Sequence, residues 1–488
     1  MNTSFRSVTH FTPRLAACMA AVLLVTGCAS SFNGPYQAPA VNLPAQYAND
    51  SLSTASRSAA TNRVTADAWW KNFSDPELNR LVDAALLRNN DLAAATIRVR
   101  QAQLQAGIAD NRLAPQFSGN VSTGVSRQLE SGASSSRSNG VSLGASYEVD
   151  LWNRLGSQRD VARWEAQATV QDREATALAL IGTTAQLYWQ LGYLNQRLAS
   201  SEQSIAYAQK TFDLVQAQYR AGATSGLELA EAQQSLANQQ AARTQLQQQV
   251  TEANTALALL FDGPPGQRIT NPQTLPVSTL PVVDAGLPAD LLGRRPDLRA
   301  AELRVRESFT TIDATRASYY PALNLTASLG SSSAALLNVL QNPVAALGAG
   351  ITLPFLQRTQ MKLDIQVSEA QYEESVVNFR QTLYTALGDV ENALSARQQF
   401  TRQGELLEQA LTAARKAEQL YEARYRAGAV ALKAWLDAQE QRRSAEIALT
   451  ENRLNRLINQ VVLYQALGGD AVVTAPATPV SSTPPAAR

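Results

Sequence analysis

The sequence predicts a mixed α and β membrane protein, built as a tandem internal repeat with four membrane strands per chain and long helices outside the membrane. Three observations predict this fold class. The chain repeats itself at an offset of 206 residues, four short segments alternate apolar and small polar residues, and two long stretches keep a helical spacing of apolar residues. The repeat divides the chain into two copies of one unit, each with a strand pair and a helical hairpin.

The internal repeat is clearest in a motif that the chain contains twice. YRAGATSGLELAEAQ begins at Tyr219 and returns as YRAGAVALKAWLDAQ at Tyr425, and DLAAATIRVR at Asp91 returns as DLRAAELRVR at Asp297. LGASYEVDLWNR at Leu143 returns as LGAGITLPFLQR with an offset of 204. Although 488 residues would ordinarily suggest several unrelated domains, repetition at a fixed period indicates two copies of one architecture.

The first 27 residues have the pattern of a secretory signal peptide. Arg6 and Arg14 precede an apolar run at 15–25, which is too short to span a bilayer. The run is followed by VTGC, which resembles the lipobox of bacterial lipoproteins and predicts lipid attachment, such as palmitate, at Cys28. The residue after this cysteine is Ala29 rather than an aspartate. This resembles bacterial lipoproteins that are sent to the outer membrane, which is their default destination. The alternative is an ordinary signal peptide with a chance cysteine.

Cleavage before Cys28 limits the chemistry of the mature chain. The only histidine, His10, and the second cysteine, Cys18, leave with the signal. Ser-His-Asp and Cys-His catalysis, His or Cys zinc sites and disulfides are therefore excluded. Lys plus Arg, at 42, balance Asp plus Glu, at 41, so no strong field recruits nucleic acid. We predict no enzyme, no cofactor and no metal site.

Composition and patterning predict the boundaries of the remaining regions. They are a lipid-anchored extended tether at 28–65, the first repeat at 66–261, a Pro-rich link at 262–296, the second repeat at 297–470 and a disordered tail at 471–488. In the first repeat Ser74 or Asp75 can cap a helix that has Pro76 at its first position. A second helical pattern runs from Asp91 to about Leu113.

Strand pairs are predicted at 116–150 and 322–354, with ESGASSSRSNG as the loop of the first pair. One face of these strands is mostly apolar, and the other is mostly Ser, Asn, Thr and Gly. The first face consists of Phe117, Gly119, Val121, Thr123, Val125, Val141, Leu143, Ala145, Tyr147, Val149, Leu323, Leu325, Ala327, Leu329, Ala345, Leu347, Ala349, Ile351 and Leu353. This pattern is typical of a transmembrane barrel wall. A half-buried soluble sheet alternates in the same way, but the lipobox and the small polar face favour the membrane.

Four strands per chain would form an open sheet whose two edges cannot face hydrocarbon, because unsatisfied backbone groups are costly there. The chain must therefore oligomerise to close a barrel. Two chains give eight strands and a filled interior, whereas three give twelve and leave room for a pore, and the strands alone do not choose between a trimer and a higher ring.

The two long helical patterns cover about 153–219 and 357–425, and each would reach on the order of 100 Å if unbroken. Such helices must project from the membrane, and the lipid tether puts them in the periplasm. Each is followed by a turn, at 220–226 and 426–432, and then by a helix with a seven-residue apolar repeat. Each copy of the repeated motif is therefore the tip of a long antiparallel hairpin.

The chain is similar to the outer membrane factor family, the TolC-like exit ducts of tripartite efflux pumps, in AWWKNFSDPELNRLVDAAL, LPADLLGRRPDLRAAELRVR, YEVDLWNR and the paired YRAGA tips. The lipoprotein branch that serves resistance-nodulation-division pumps resembles it most. The resemblance implies a homotrimer with a twelve-stranded outer-membrane β-barrel continuous with a periplasmic α-helical barrel, and it puts the Pro-rich link at 262–296 in a small equatorial region. It further implies passive conduction of substrates, antibiotics among them, that a periplasmic adaptor and an inner-membrane transporter deliver.

The resemblance also implies roles for the tips. Adaptor contact is expected at Gly222, Ala223, Thr224, Ser225, Gly428, Ala429, Val430 and Ala431. The periplasmic gate is expected at Glu228, Glu231 and Asp437, whereas Ala434 departs from relatives that carry an acid there. Alternatively, the two glutamates simply occupy the first turn of a helix, where the macrodipole favours acids.

Two other functions are compatible with parts of the sequence. A type I protein-secretion channel of the outer membrane would use the same duct, although the lipobox and LPADLLGRRPDL favour drug efflux. A tethered coiled-coil scaffold lipoprotein would explain the helices, but it would not need four amphipathic strands in matched repeats. Drugs, solvents, aromatic acids and metals are all compatible as substrates.

Overall fold

The computed structural model describes residues 34–49, 68–127 and 135–469, except 265, 267–268, 277–279, 282, 284, 287 and 342. Predictions for the signal peptide, Cys28, most of the tether and the tail lie outside the described residues. The described chain divides into two compact units. The sheet unit contains 34–40, 98–169 and 300–380, and the tip unit contains 41–97, 170–299 and 381–469.

The chain is mostly helical, with one sheet of four strands among the described residues. The main elements are α1 (Pro76–Arg88), α2 (Asn90–Asn111), β1 (Gln116–Arg127), β2 (Ser135–Val149), α3 (Arg154–Arg220), α4 (Gly226–Leu259), α5 (Leu291–Arg294), α6 (Pro296–Ala317), β3 (Ala322–Ser333), β4 (Val344–Thr352), α7 (Arg358–Arg426) and α8 (Leu432–Ala466). Short 3-10 turns lie at Trp69–Phe73, Pro288–Asp290, Leu336–Asn338 and Pro354–Leu356. No helix of the described ranges is long and apolar enough to cross a membrane.

The internal repeat of the sequence is also a repeat of the structure. A shift of 206 residues moves both ends of α2 onto those of α6, and both ends of β1 onto those of β3. The start of α3 maps onto that of α7 with the 204 offset, and its end with the 206 offset. The offset falls to 204 in the strand hairpin, where the first copy has two more residues, and returns to 206 within the long helices, where α3 has 67 residues and α7 has 69.

The sheet of the sheet unit is antiparallel throughout, with the order β1-β2-β3-β4. Its register aligns the apolar residues of neighbouring strands, as in the pairs Phe117–Ala145, Leu143–Leu329 and Ala327–Leu347. Since side chains alternate between the faces of a strand, one face is apolar and the other is small and polar. The predicted face residues are thus correct except for Leu353, which follows the end of β4. The loop of the first strand pair is shorter than predicted, because 135–140 extend β2 and pair with β1.

The helices of the sheet unit form a row that, like the sheet, has two open edges. Asp110 of α2 pairs with Arg163 of α3 at 3.1 Å, and Glu165 of α3 pairs with Arg304 of α6 at 3.3 Å. Arg316 of α6 then pairs with Glu369 of α7 at 2.6 Å. The order α2-α3-α6-α7 leaves one side of α2 and one side of α7 without a neighbour in the described chain.

The main hydrophobic core lies in the tip unit. Trp69 is fully buried and stacks on Tyr464, with ring centroids 4.9 Å apart. Asp75 caps α1 by accepting from the backbone N–H groups of Glu77 and Leu78 at 3.0 and 3.1 Å, with Pro76 in the first turn. Asp75 also accepts a 2.9 Å hydrogen bond from the hydroxyl of Tyr188, so this cap is tied to the core.

The LGRRPDL segment has a structural role in the same unit. The Arg295 side chain is 13% exposed and donates to Asp297 at 2.8 Å and to Asp389 at 3.1 Å. It also donates to the carbonyl oxygen of Ala466 at 3.3 Å. The guanidinium therefore joins the start of α6 to α7 and to the end of α8.

Candidate functional site

The two hairpin tips end their first helices in the same way. Gly222 and Gly428 both have φ of 72°, a left-handed backbone conformation that residues with a Cβ rarely adopt. In the first tip the N–H of Ala223 donates to Gln218 O at 2.8 Å, and in the second Ala429 donates to Arg424 O at 2.9 Å. This is the Schellman arrangement, and it explains why both copies of YRAGA contain the glycine.

The tips differ in how their second helices begin. In α4, Ser225 and Glu228 form a capping box, in which Glu228 Oε2 accepts from the Ser225 N–H at 3.0 Å and also from the Thr224 hydroxyl. These hydrogen bonds, that from Thr224 above all, lower the pKa of Glu228. The matching residues of α8 are Ala431 and Ala434, and Ala431 makes no side-chain cap. Because Ala434 stands where the first tip has Glu228, the second tip lacks both the capping hydrogen bond and the carboxylate.

The first and second hairpins of one chain pack together at an aromatic cluster. Trp435 of α8 is 2% exposed, stacks on Tyr425 at 5.3 Å and meets the edge of Tyr207 at 6.2 Å. Three aliphatic side chains complete the buried part of this cluster, namely Val215, Ala232 and Leu432. Since Tyr207, Val215 and Ala232 belong to the first hairpin, and Tyr425, Leu432 and Trp435 belong to the second, the cluster joins both.

Polar contacts reinforce this junction. The hydroxyl of Tyr425 donates to Gln218 Oε1 at 2.9 Å, and the hydroxyl of Tyr207 donates to Glu422 Oε2 at 3.2 Å. Burial, with Glu422 as the next cause, raises the pKa of Tyr207 to about 12. Tyr207 therefore keeps its proton, and remains a donor, throughout the neutral range. Both bonds join α3 to α7.

The predicted gate residues lie close to these contacts but have different surroundings. Glu228 is engaged in the cap, whereas Asp437 is exposed and pairs with Lys433 at 3.0 Å. Hydrogen bonding to Asp437 is the main cause that raises the pKa of Lys433, and the charge of Glu231 contributes to the same shift. Glu231 of the first hairpin and Asp437 of the second thus lie near one lysine, which the sequence reasoning missed.

The predicted adaptor-contact residues form the ends of the two hairpins. Six of them are exposed in the described chain, namely Gly222, Ala223, Ser225, Gly428, Ala429 and Ala431. Thr224 is half-buried because it contacts Glu228, and Val430 is half-buried because it packs on the aromatic cluster. The two tips therefore present mostly backbone and small side chains at their surface.

An ion-pair network lies within the second hairpin behind the tip. Glu418 of α7, 12% exposed at its side chain, pairs with Arg442 of α8 at 2.6 Å, and Arg442 also pairs with Glu446 at 2.8 Å. On the neighbouring turn, Gln239 of α4, with its amide oxygen towards α8, accepts from Arg443 at 2.9 Å.

The polar face of the sheet is the candidate wall of a duct. A Cβ added at Gly144 would lie 2.8 Å from Ser118 Oγ, and one at Gly348 would lie 2.9 Å from Thr326 Oγ1. Neighbouring strands thus pair a glycine with a hydroxyl. The only charged residue at an inward position of the described strands is Glu148, whose carboxylate is paired with Arg154 at 2.6 Å. The wall is therefore smooth, hydroxylated and nearly neutral.

The described residues contain no group of three or more His, Cys, Asp or Glu side chains that could hold a metal ion. The residues that sequence reasoning missed, Tyr207, Gln218, Lys433 and Trp435, all act between hairpins. Comparison of the two copies of the motif offers one signal, because Trp435 and Lys433 stand where the first copy has Leu229 and Leu227.

A model of the family described as outer membrane efflux protein matches residues 81–262 and 287–469. The pyoverdine export outer membrane protein OpmQ of Pseudomonas putida is 35% identical over 411 residues, which are 82% of this chain and 87% of OpmQ. The cation efflux system protein CusC of Escherichia coli is 28% identical over 465 residues, which are 93% of this chain and 98% of CusC.

Solved structures of the same kind have the same fold. A CusC crystal structure matches with a TM-score of 0.78 at 26% identity, covering 89% of this chain and 99% of that one. The open state of the MtrE outer membrane channel of Neisseria gonorrhoeae matches with a TM-score of 0.74 at 29% identity, covering 89% and 97%. The predicted fold class, a repeat-built channel protein with four strands per chain, is confirmed.

Proposed function

Because the chain belongs to the outer membrane efflux protein family, we propose that it is the exit duct of a tripartite efflux pump, anchored by a lipid on Cys28 and gated at its hairpin tips. It is an outer-membrane efflux channel, and channels of this family are trimers that work with a periplasmic adaptor and an inner-membrane transporter. We propose a transporter of the resistance-nodulation-division class as its partner.

One observation carries the proposal: the sheet has an apolar face, a small polar face and two edges, at β1 and β4, without a partner strand in the described chain. In hydrocarbon such edges must be paired, and pairing β4 of one copy with β1 of the next closes a ring. Three copies give a barrel of twelve strands, with the apolar face towards lipid and the hydroxylated face towards a pore.

The row of helices in the sheet unit supports the same ring. On α2 the side chains of Leu104 and Ile108 are 62% and 59% exposed, and on α7 those of Leu363, Val367 and Val377 are 52%, 55% and 61% exposed. These apolar residues lie on the two end helices of the row, where neighbouring copies would cover them. A ring of neighbouring copies would therefore cover the open edges of both the sheet and the row of helices.

The contacts at the tips support a closed resting state. The aromatic cluster and the two tyrosine hydrogen bonds hold the second hairpin against the first, and opening requires their separation. An adaptor that binds the exposed tip residues more tightly when the hairpins are apart would shift this equilibrium towards the open form. Lys433 pairs with Asp437 and is influenced by the charge of Glu231, so the net negative charge at the proposed gate is smaller than that of the carboxylates alone.

The experiment that tests the function is conductance of the purified, membrane-inserted oligomer in planar bilayers. A small wild-type conductance that increases when the tip contacts are removed is expected of a closed duct. Mass spectrometry of the purified protein tests the anchor, which is expected on Cys28 and lost in Cys28→Ser. An oligomer that does not insert into membranes would instead favour the scaffold function.

A further inference from the structure

The outward face of the sheet carries two arginines at the end remote from the helices. Arg127 is the last residue of β1, and Arg137 is the third residue of β2. Both are exposed, and neither has an ion pair or hydrogen bond within the part of the chain that the structure describes. An unpaired guanidinium at the rim of a membrane strand requires either water or an anionic ligand.

The strand register puts both arginines on the lipid-facing side. Arg137 is directly opposite Val125, and Arg127 is opposite Ser135, so the two arginines are diagonal neighbours on one face. Diagonal neighbours across an antiparallel pair are about 7–8 Å apart, within reach of one another's long side chains. The same face continues through Val121 and its partner Val141 into the apolar band.

The depth of the arginines follows from the length of that band. On β2 it runs from Val149 to Val141, which is about 27 Å along the strand at 3.4 Å per residue, or about 20 Å across the bilayer when the strand is tilted by about 45°. Arg137 lies four residues beyond Val141 on β2, in the direction away from the helices. It therefore lies just outside the hydrocarbon, at the level of lipid headgroups.

The two ends of the outward face differ chemically. At the end near the helices, Trp152 packs on Tyr320 at 4.9 Å, and its indole donates to Pro321 O at 2.9 Å, as expected of an aromatic girdle. At the far end, Thr123 donates to Asn139 Oδ1 at 2.8 Å, and the Asn139 amide donates to Ala334 O at 3.2 Å. On β2, Asn139 therefore lies between the apolar band, which ends at Val141, and Arg137.

We propose that Arg127 and Arg137 bind a phosphate group of lipopolysaccharide, the phosphorylated glycolipid of the outer leaflet. Guanidinium groups bind phosphate oxygens in bidentate geometry and are less strongly hydrated than ammonium groups, which suits a site at the edge of hydrocarbon. The strand ends remote from the periplasmic helices face the outer leaflet, where this lipid is the anionic component. The inference rests on the outer-membrane placement proposed above.

The test measures lipopolysaccharide bound to the full-length oligomer in detergent, with purified lipopolysaccharide, its dephosphorylated form and phosphatidylglycerol as three separate probes. For Arg127→Gln with Arg137→Gln we expect roughly tenfold weaker retention of lipopolysaccharide, since charge-assisted hydrogen bonds are lost. Arg98→Gln with Arg100→Gln is the matched control, because it removes two exposed arginines of α2 and should retain the lipid like wild type.

Further outcomes decide the proposal. Arg127→Lys with Arg137→Lys keeps the charge but loses the bidentate geometry, so intermediate retention is expected. Equal retention by wild type and the glutamine variant would overturn the site, and so would equal binding of the dephosphorylated lipid or of phosphatidylglycerol. Conductance of the glutamine variant should equal that of wild type. An inserted oligomer that conducts neither as wild type nor after removal of the tip contacts would contradict the proposed function itself, a result distinct from the loss of lipid binding.

Discussion

The hydroxyl of Tyr425 donates a 2.9 Å hydrogen bond to Gln218 Oε1 and thereby joins the ends of two helices that are 207 residues apart in sequence. Tyr207 makes the corresponding bond to Glu422. Each bond contributes a net of about 0.5–1.5 kcal/mol, so removal of both should raise the ratio of open to closed tips by about tenfold. We expect Tyr207→Phe with Tyr425→Phe to increase single-channel conductance or open probability. Tyr421→Phe, on the exposed side of α7, is the control that should leave both unchanged.

Truncation of Trp435 should have a larger effect on the same equilibrium. Removing a buried tryptophan typically costs about 3–5 kcal/mol, and here the lost contacts include the one with Tyr207 of the first hairpin. We expect Trp435→Ala to open the tips more than the tyrosine variants do, and Trp435→Phe to lie between Trp435→Ala and wild type. Leu227→Ala is a control at the other tip, because Leu227 is 68% exposed. Trp435→Ala channels that conduct like wild type would show that the cluster does not hold the gate.

The capping box of the first tip predicts different stabilities for the two turns. Glu228→Ala should lower the stability of the first turn of α4 by about 1 kcal/mol. Conversely, Ala431→Ser with Ala434→Glu should install the box in α8 and protect the amides of its first turn. Amide hydrogen exchange at the two tips measures both changes. Unchanged exchange in both variants would contradict the capping role.

The same cap should depend on pH in acid. The pKa of Glu228 is lowered by its hydrogen bonds, so the cap is fully formed above the ordinary glutamate pKa. Its contribution is lost as the pH falls through the lowered value in the folded state. We expect exchange at the first turn of α4 to accelerate in that acid range in wild type but not in Glu228→Ala.

Glu307 predicts a pH dependence of the opposite sign in the sheet unit. Burial, with the charge of Glu165 as the next cause and Arg304 opposing, raises the pKa of Glu307 to about 7. The folded chain therefore holds a proton that the unfolded chain releases, and the stability of the folded chain falls as the pH rises from about 4.5 to about 7. Thermal melting should show that Glu307→Gln flattens this dependence and stabilises the protein at pH values above 7. Glu373→Gln, at an exposed position of α7, should melt like wild type.

The polar face of the sheet should reject side chains at a glycine that lies against the backbone of the neighbouring strand. Gly330→Ala would bring a Cβ to 3.1 Å from both Ser142 Cβ and Val141 O, whereas a Cβ at Gly350 would meet nothing within 4 Å in the single chain. We expect Gly330→Ala to reduce the yield of heat-stable oligomer and Gly350→Ala to leave it unchanged. Equal yields of the two variants would contradict this explanation.

Local patterns were sufficient for much of the fold. The alternation that gives the sheet its two faces is a property of each strand, and Gly222 and Gly428 mark the helix ends because only glycine adopts their conformation readily. The start of β2 was misplaced, because Ser135 and its neighbours pair through their backbone, which composition does not reveal.

The contacts between hairpins could not be predicted, because they depend on which faces meet in three dimensions. Trp435 is a packing residue only because Tyr425 of α7 and Tyr207 of α3 approach it. Lys433 affects the charge at the tips only because Asp437 and Glu231 lie near it in the folded chain. The capping role of Glu228 depends on the conformation of Thr224 and Ser225. The gate and adaptor residues stay predictions.

The most direct test of the duct is a planar-bilayer recording of the purified oligomer, with wild type beside Glu231→Ala, Asp437→Ala and the double variant Tyr207→Phe with Tyr425→Phe. We predict a small, cation-preferring conductance for wild type, weaker cation preference in the acid variants and larger conductance in the tyrosine variant. A folded oligomer that inserts into the bilayer but conducts in none of these forms would contradict the proposal that this chain is an efflux duct closed at its tips.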